Sequence, residues 1–101
     1  MRTLPQPLTF EWDEGNVSKN LVKHNVTAKE AEEMFTNEPL TVVDDSLHSV
    51  QEIRLHAFGK TRSGRKLFAA FTIRNNKIRV ISVIDMKKKE RIDYEKAETN
   101  S

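Results

Sequence analysis

The sequence contains no cysteine among its 101 residues, which excludes disulfide bonds and thiolate metal sites and leaves the redox compartment undetermined. It contains no apolar run near the roughly 20 residues of a membrane helix, and residues 1–7 lack an apolar signal region. We therefore expect no membrane partner and take the cytoplasm as the default location. With three glycines, the chain has neither a glycine-rich phosphate loop nor a nucleophile elbow.

Acidic residues are missing from the central part of the chain. Residues 53–84 contain eight Lys and Arg and no Asp or Glu, whereas residues 1–52 contain four basic and ten acidic residues. The net charge is only +2, so it is this separation of charge that indicates an anionic partner, with nucleic acid as the main candidate. A solvated strand face and an unrelated phosphate-binding protein are alternatives that the charge pattern alone leaves open.

The length predicts a single domain over residues 1–101, with a loose arm at 1–7 and a polar tail at 97–101. Three helices are expected from apolar spacing and capping residues. They run from an Asp13 cap to about His24 with Val17 and Leu21 inward, from a Thr27–Glu30 capping box to before Pro39, and from an Asp85 cap through Met86 to about Lys96.

Alternating apolar residues predict the strands. These are a short strand at Leu8–Trp12, then Leu40–Val43, a strand carrying Ile53, Leu55 and Ala57 on its core face, Lys66–Arg74, and Lys77–Ile84. The last two strands form a hairpin because Asn75-Asn76 tolerates the left-handed conformation of a two-residue turn. The resulting pairs include Thr72 with Arg79, Ala69 with Ser82 and Leu67 with Ile84, and Gly59–Arg65 is a basic loop that sets Ala57 against Leu67.

This register predicts a polar patch at one end of the sheet. Its members are Glu52, Arg54, Thr72, Arg74, Lys77 and Arg79. Arg74 and Lys77 oppose each other as like charges, which costs stability, and a bound anion would relieve the repulsion.

RNA cleavage through the RNA's own 2′-hydroxyl suits such a patch and requires no metal or other cofactor. It needs a base, cations near the phosphorane charge, and an acid. Fixed arginines serve as the cations, and Glu52, His48 or His56 can serve as base or acid. His24 is explained as a cation at a helix end, and Asp44-Asp45 as a solvated loop.

Short motifs along the chain share the order and spacing of one known family. They are Phe10-Glu11-Trp12-Asp13, Asn20-Leu21, Lys23-His24, Val26, Glu30-Ala31, Phe35, the loop from Asp44 to His48-Ser49, Arg54, the loop from Gly59 to Gly64-Arg65, Phe71-Thr72, Ile78-Arg79-Val80-Ile81-Ser82, Lys88-Lys89-Glu90-Arg91 and Tyr94-Glu95. Over nearly all of Phe10 to Glu95 the chain resembles the BrnT family of ribonuclease toxins from bacterial type II toxin–antitoxin systems.

The resemblance implies an α+β, RelE-like fold in which a curved antiparallel sheet packs against N-terminal helices, with a C-terminal helix. It implies a metal-independent endoribonuclease that inhibits translation and is neutralised by a BrnA-like ribbon-helix-helix antitoxin. Toxin and antitoxin are expected to form a heterotetramer that represses its own operon, with operator DNA contacted only through the antitoxin.

The resemblance and the polar patch together give two sets of site residues. The predicted catalytic residues are Arg54, Arg79, Thr72, Glu52 and His48. The predicted RNA-binding residues are Arg62, Arg65, Arg74, Lys77, Lys23, His24 and Lys88.

Two positions depart from the family. Its last strand usually runs Ile-Ser-Ala-Arg, and here Ile84 replaces the arginine; a lysine usual in the first helix is Asn16. Loss of an arginine that stabilises a transition state costs about 2–4 kcal/mol. The alternative function is therefore a catalytically weak or inactive toxin-like module that pairs with a ribbon-helix-helix antitoxin in operon repression.

Overall fold

The computed structural model describes residues 4–49 and 51–99, with backbone alone at residues 16, 17 and 20–22. Its elements are, in order, α1 (Glu14–His24), α2 (Ala28–Thr36), β1 (Thr41–Asp44), β2 (Arg54–Lys60), β3 (Lys66–Arg74), β4 (Lys77–Asp85) and α3 (Lys88–Thr99). The strands form one antiparallel sheet in the order β1-β2-β3-β4, which confirms the α+β class. The side chains of Val17 and Leu21, predicted to face inward, lie outside the described residues.

The core lies between one face of the sheet and the two N-terminal helices, because α1 packs against β4 and α2 against β2 and β3. The predicted capping box at Thr27 is confirmed, and α2 buries Met34 and Phe35. The rings of Phe35 and Phe71 pack edge to face, with their centroids 5.0 Å apart. A Cβ on Gly59 would lie 2.7 Å from the carbonyl oxygen of Met34, so the absence of a side chain there allows α2 to approach β2.

The N-terminal segment crosses the edge of the sheet beside β4. The strand predicted at Leu8–Trp12 is reduced to a parallel bridge between Phe10 and Ile78. The Ile78 N–H donates to the Thr9 carbonyl and the Glu11 N–H to the Ile78 carbonyl, each at 2.8 Å. Leu4 packs against the core, so part of the predicted loose arm is anchored by apolar contact.

The predicted hairpin turn is confirmed, since Asn75 and Asn76 have φ values of 53° and 61°. The predicted register holds from the turn to Phe71 and Val80, but a bulge between Ala70 and Phe71 shifts the remainder. The pairs predicted beyond the bulge, such as Ala69 with Ser82 and Leu67 with Ile84, are therefore wrong.

The bulge decides which side chains of β4 enter the core. Val83 is fully buried opposite Ala69, and Ile84 pairs with Phe68 instead of Leu67. A bulge sets two residues of one strand against one of its partner and so reverses the inward alternation beyond it. The apolar run from Val80 to Ile84 can supply a buried residue in either register, which is why periodicity did not predict the change.

The register of β2 also differs from the prediction, by two residues. Ala57 pairs with Ala69 and Arg54 with Thr72, so Arg54 occupies the position predicted for Glu52. A shift of two preserves which side chains face the core, and apolar alternation cannot detect it. Ile53, predicted to be in the core, is half exposed before the strand begins.

The last helix begins at Lys88 and not after an Asp85 cap. Asp85 ends β4 and binds Arg65, while the Glu90 carboxylate accepts the Lys87 backbone N–H at 2.8 Å. The helix continues to Thr99, so residues 97–99 of the predicted tail are helical. Its buried Tyr94 donates to the Pro39 carbonyl, which fixes α3 to the segment before β1.

None of the helices in residues 4–49 and 51–99 combines the length and the apolar content needed to cross a bilayer.

Candidate active site

The sheet face opposite α2, here called the outer face, carries the predicted catalytic arginines. Arg54, Thr72 and Arg79 are neighbours across β2, β3 and β4. Neighbouring strands lie about 4.8 Å apart, so the two arginines flank Thr72 with their backbones roughly 10 Å apart. This row confirms the predicted pairing of Thr72 with Arg79.

Two histidines converge on one carboxylate at the edge of the outer face, a group called here the His–Asp–His cluster (His48, Asp45 and His56). His48 Nδ1 lies 2.8 Å and His56 Nε2 lies 2.9 Å from the same oxygen, Asp45 Oδ2. The Asp45 side chain is only 7% exposed, whereas those of His48 and His56 are 57% and 29% exposed. The carboxylate is thus shielded while both imidazoles remain accessible to a ligand.

The cluster is built by the loop between β1 and β2. The Asp45 N–H donates to the Arg54 carbonyl at 2.9 Å, which places Asp45 beside the start of β2. The Ser49 hydroxyl donates to the Asp45 carbonyl at 2.6 Å and accepts the Arg54 N–H at 2.9 Å, closing the loop. The His56 ring also packs edge to face against the Phe68 ring, with the two ring centroids 4.8 Å apart.

The ionised form of Asp45 is favoured despite its shielded position. Burial raises the pKa of this carboxyl, but hydrogen bonds from the ring and backbone of His48, with the charges of both imidazoles, outweigh burial and lower the pKa. An ionised carboxylate accepts an N–H from each ring, so it holds both imidazoles in a defined orientation.

Arg54 adds a positive charge next to the cluster. It lies two residues before His56 on the same face of β2, and its side chain makes no hydrogen bond or ion pair with the described residues. Together with His48, Gln51 and Glu52 it lines a cleft of about 320 Å³. An arginine without an internal carboxylate partner is available to an anion.

Arg79 is instead paired within the chain. Its guanidinium donates to Glu11 at 3.0 Å and to Asp13 at 2.7 Å, and the hydrogen bond to Asp13 raises its pKa above the ordinary value, against a smaller effect of desolvation. The predicted polar patch did not include these two carboxylates. Their alternation with Phe10 and Trp12 places them on one face of the N-terminal segment, a signal that was present in the sequence.

Thr72 and Glu52 have structural partners in the same region. Thr72 is buried and donates its hydroxyl to the Ile53 carbonyl at 2.7 Å, which holds the start of β2 against β3. Glu52 accepts a hydrogen bond from Arg74 at 3.0 Å. The predicted repulsion between Arg74 and Lys77 is therefore offset by Glu52 as well as by any bound anion.

Arg65, predicted to bind RNA, uses its five N–H groups within the fold. It donates to Asp85 through two bonds, to Glu30, and to the carbonyls of His24 and Asn25. These contacts tie the ends of α1 and β4 to the start of α2. Because all five N–H groups are used within the fold, Arg65 has a structural role, which the sequence of the basic loop did not indicate.

The remaining predicted RNA-binding residues are not brought together. Arg74 and Lys77 lie at the hairpin end of the sheet, near Arg54. A second group lies at the opposite end, near the loop between β2 and β3. Its members are Lys23, His24, Arg62, Arg65 and Lys88.

Asp45 is the site residue that sequence analysis missed, having been treated as a solvated loop residue. The available signal was its spacing from His48 and Ser49, since Asp and Ser side chains that bond nearby backbone groups organise tight loops. No group of three or more His, Cys, Asp or Glu within residues 4–49 and 51–99 is arranged to hold a metal ion.

Comparison with known proteins gives a family for the chain. A search of curated proteins found no match. A model of the family described as the ribonuclease toxin, BrnT, of type II toxin–antitoxin systems matches residues 12–90. This range contains α1 through β4, the His–Asp–His cluster and the row of Arg54, Thr72 and Arg79. The chain therefore belongs to the BrnT family of ribonuclease toxins.

Proposed function

We propose that this protein is the toxin of a type II toxin–antitoxin pair and cleaves RNA without a metal ion, using the His–Asp–His cluster and Arg54. The observation that carries the proposal is one shielded carboxylate oriented toward two accessible imidazoles, beside an arginine that has no partner among the described residues. The BrnT family supplies the substrate class. In this proposal the chain is a single RelE-like domain.

The proposed reaction is attack of the RNA 2′-oxygen on the adjacent phosphorus. One imidazole accepts the 2′-hydroxyl proton, the 2′-oxygen–phosphorus bond forms, and the bond from phosphorus to the 5′-oxygen breaks. The second imidazole, acting as the protonated imidazolium, gives the proton on its substrate-facing nitrogen to the departing 5′-oxygen. The products are a 2′,3′-cyclic phosphate and a 5′-hydroxyl, and Arg54 stabilises the charge that develops on the phosphorane oxygens.

The shared Asp45 carboxylate leaves one nitrogen of each imidazole for the substrate. His48 donates through Nδ1, which leaves Nε2 for the substrate, and His56 donates through Nε2, which leaves Nδ1. Asp45 is a positioning residue that fixes which nitrogen of each ring faces the substrate, as buried carboxylates do beside catalytic histidines. Thr72 is a second positioning residue, because its hydrogen bond to the Ile53 carbonyl fixes β2, the strand that carries Arg54 and His56.

The test uses the full-length chain, purified free of antitoxin, on RNA in the presence of EDTA. We expect cleavage with 2′,3′-cyclic phosphate ends, lost by about 10²- to 10⁴-fold in His56→Ala. Asp93→Asn is the control, because Asp93 is exposed on α3 and belongs to neither predicted set of site residues. Equal cleavage by His56→Ala and the unmodified chain would remove the cluster from the mechanism.

A catalytically weak or inactive binding module is the second candidate. Ile84 and the pairing of Arg79 with Glu11 and Asp13 favour it, since both reduce the positive charge offered to a phosphate. In either case we propose a BrnA-like ribbon-helix-helix antitoxin as the partner, in a heterotetramer that contacts operator DNA only through the antitoxin. Absence of RNA cleavage by every variant, with folding intact, would favour this second function.

A further inference from the structure

A cleft lies beside the His–Asp–His cluster. It is lined by His48, Gln51, Glu52 and Arg54 and has a volume of about 320 Å³. Small-molecule sites range from about 300 to 1,000 Å³, so the cleft suits a single nucleobase. Arg54 borders both the cleft and the proposed reaction centre, and a base in the cleft would therefore have its own phosphate beside the imidazoles.

The cleft combines a hydrogen-bond acceptor with several donors. The Glu52 carboxylate accepts one bond from Arg74 on Oε1, which leaves Oε2 and the second lone pair of Oε1 for a ligand. About half of the Glu52 side chain is exposed. Gln51 offers an amide that both donates and accepts, and Arg54 offers donors alone. The exposed His48 ring provides a planar surface on which a base can stack.

Of the four RNA bases, guanine fits this arrangement best. Its N1–H and N2–H groups lie side by side, so a carboxylate can accept from both, as two parallel charge-assisted bonds. Adenine and cytosine place a lone pair beside their amino group, which would face the Glu52 oxygens unfavourably. Uracil has one N–H between two carbonyls and meets the same repulsion.

We propose that Glu52 selects guanine in this cleft, so that the RNA is cut on the 3′ side of guanosine. Glu52 reads the N1 and N2 edge, Gln51 donates to O6, and Arg54 holds the 3′-phosphate next to His48 and His56. Glu52 is thereby a specificity residue and not the general base that sequence analysis offered as one option. The cleavage position rests on the proposed ribonuclease function, whereas the binding preference does not.

Binding is measured first, by titration calorimetry of the full-length chain with the 3′-monophosphates of guanosine, inosine, adenosine, cytidine and uridine. We expect the guanosine compound to bind about 5- to 100-fold more tightly than those of adenosine, cytidine and uridine. Inosine lacks the N2 amino group and should bind at an intermediate affinity. Equal affinities for all five, or for guanosine and inosine, would overturn the assignment of Glu52 to the N1 and N2 edge.

Two variants separate base recognition from structural effects. Glu52→Gln should remove the guanosine preference, whereas Arg74→Gln breaks the same ion pair but keeps the carboxylate and should retain the preference. Glu14→Gln, an exposed change in α1, is the control for loss of one negative charge. Loss of the preference in Arg74→Gln to the same extent, or its survival in Glu52→Gln, would contradict the proposal.

Cleavage is then measured on an oligoribonucleotide with one guanosine and on its counterpart with adenosine in that position. Both proposals are supported if the unmodified chain cleaves only after guanosine and the Glu52→Gln variant loses this preference. Cleavage without base preference refutes the guanine site and leaves the ribonuclease function intact. Guanosine-selective binding without any cleavage supports the site and refutes the ribonuclease function.

Discussion

Replacement of Arg65 by lysine tests whether this residue stabilises the fold or contacts RNA. The guanidinium makes five hydrogen bonds, and an ammonium has only three donors. At least two bonds are lost at about 0.5–1.5 kcal/mol each, so Arg65→Lys should lower the free energy of unfolding by about 1–3 kcal/mol. Arg65 is 25% exposed and Asp85 62% exposed, which keeps the expected loss below that of a fully buried ion pair.

The measurement is thermal unfolding followed by circular dichroism. For a domain of this size each kcal/mol shifts Tm by about 4–8 °C, and the expected decrease is therefore about 4–24 °C. Arg62→Lys is the matched control, because Arg62 is exposed in the same loop and should change Tm little. An unchanged Tm in Arg65→Lys combined with weaker RNA binding would refute the structural role.

The carboxylates bound by Arg65 predict how the stability of the fold depends on pH. Hydrogen bonds from Arg65 lower the pKa of Asp85 below its ordinary 3.8; the Thr27 backbone N–H, and then Arg65, lower the pKa of Glu30 below 4.5. The unfolded chain therefore binds more protons than the folded chain in this range, and the stabilisation present above about pH 5 is lost as the pH falls through the folded pKa values. The urea midpoint should fall between pH 5 and 3, and less steeply in Arg65→Lys; equal slopes would contradict this.

Three further changes test the site and the fold. Asp45→Asn should reduce RNA cleavage by about 10²- to 10⁴-fold in kcat because the neutral amide removes the charge beside the imidazoles and sets its NH₂ group against either the rings or the His48 backbone N–H, with Asp93→Asn as control; normal kcat would exclude Asp45 from the mechanism. Ile84→Arg should increase cleavage by about 10²-fold or more, if the position supplies transition-state charge, and cleavage at the original rate would show that it does not. Gly59→Ala should destabilise the domain by about 1–3 kcal/mol, through the 2.7 Å approach of its Cβ to the Met34 carbonyl, and a normal urea midpoint would refute that contact.

The elements that local chemistry specifies were predictable. The α2 capping box depends on Thr27 and Glu30, three residues apart, and the hairpin turn depends on the adjacent Asn75 and Asn76. Such features involve residues close in sequence, so the residue types nearly determine the conformation. The charge separation and the family motifs were likewise visible without coordinates, and they led to the correct family.

The candidate site was predicted only in part, because its arrangement depends on contacts between distant residues. Arg79 pairs with Glu11 and Asp13, which lie 68 and 66 positions away; the local alternation sets the two carboxylates on one face but does not identify their partner. From the sequence Asp45 is an ordinary loop carboxylate. Only the pairing of β1 with β2 places His56 next to it.

The sequence by itself determined the α+β class, the hairpin, the capping box of α2 and the family, since each follows from short-range spacing or from motifs in order. The tertiary structure alone decided the bulge that moves Ile84 out of the core, and the two-residue shift that sets Arg54 beside Thr72. The two-residue shift keeps the alternation of apolar residues, and the run from Val80 to Ile84 supplies a buried residue with or without the bulge, so only packing in three dimensions distinguishes the registers. It also decided that Arg65 and Arg79 are used within the fold, whereas Arg54 has no side-chain partner among the described residues.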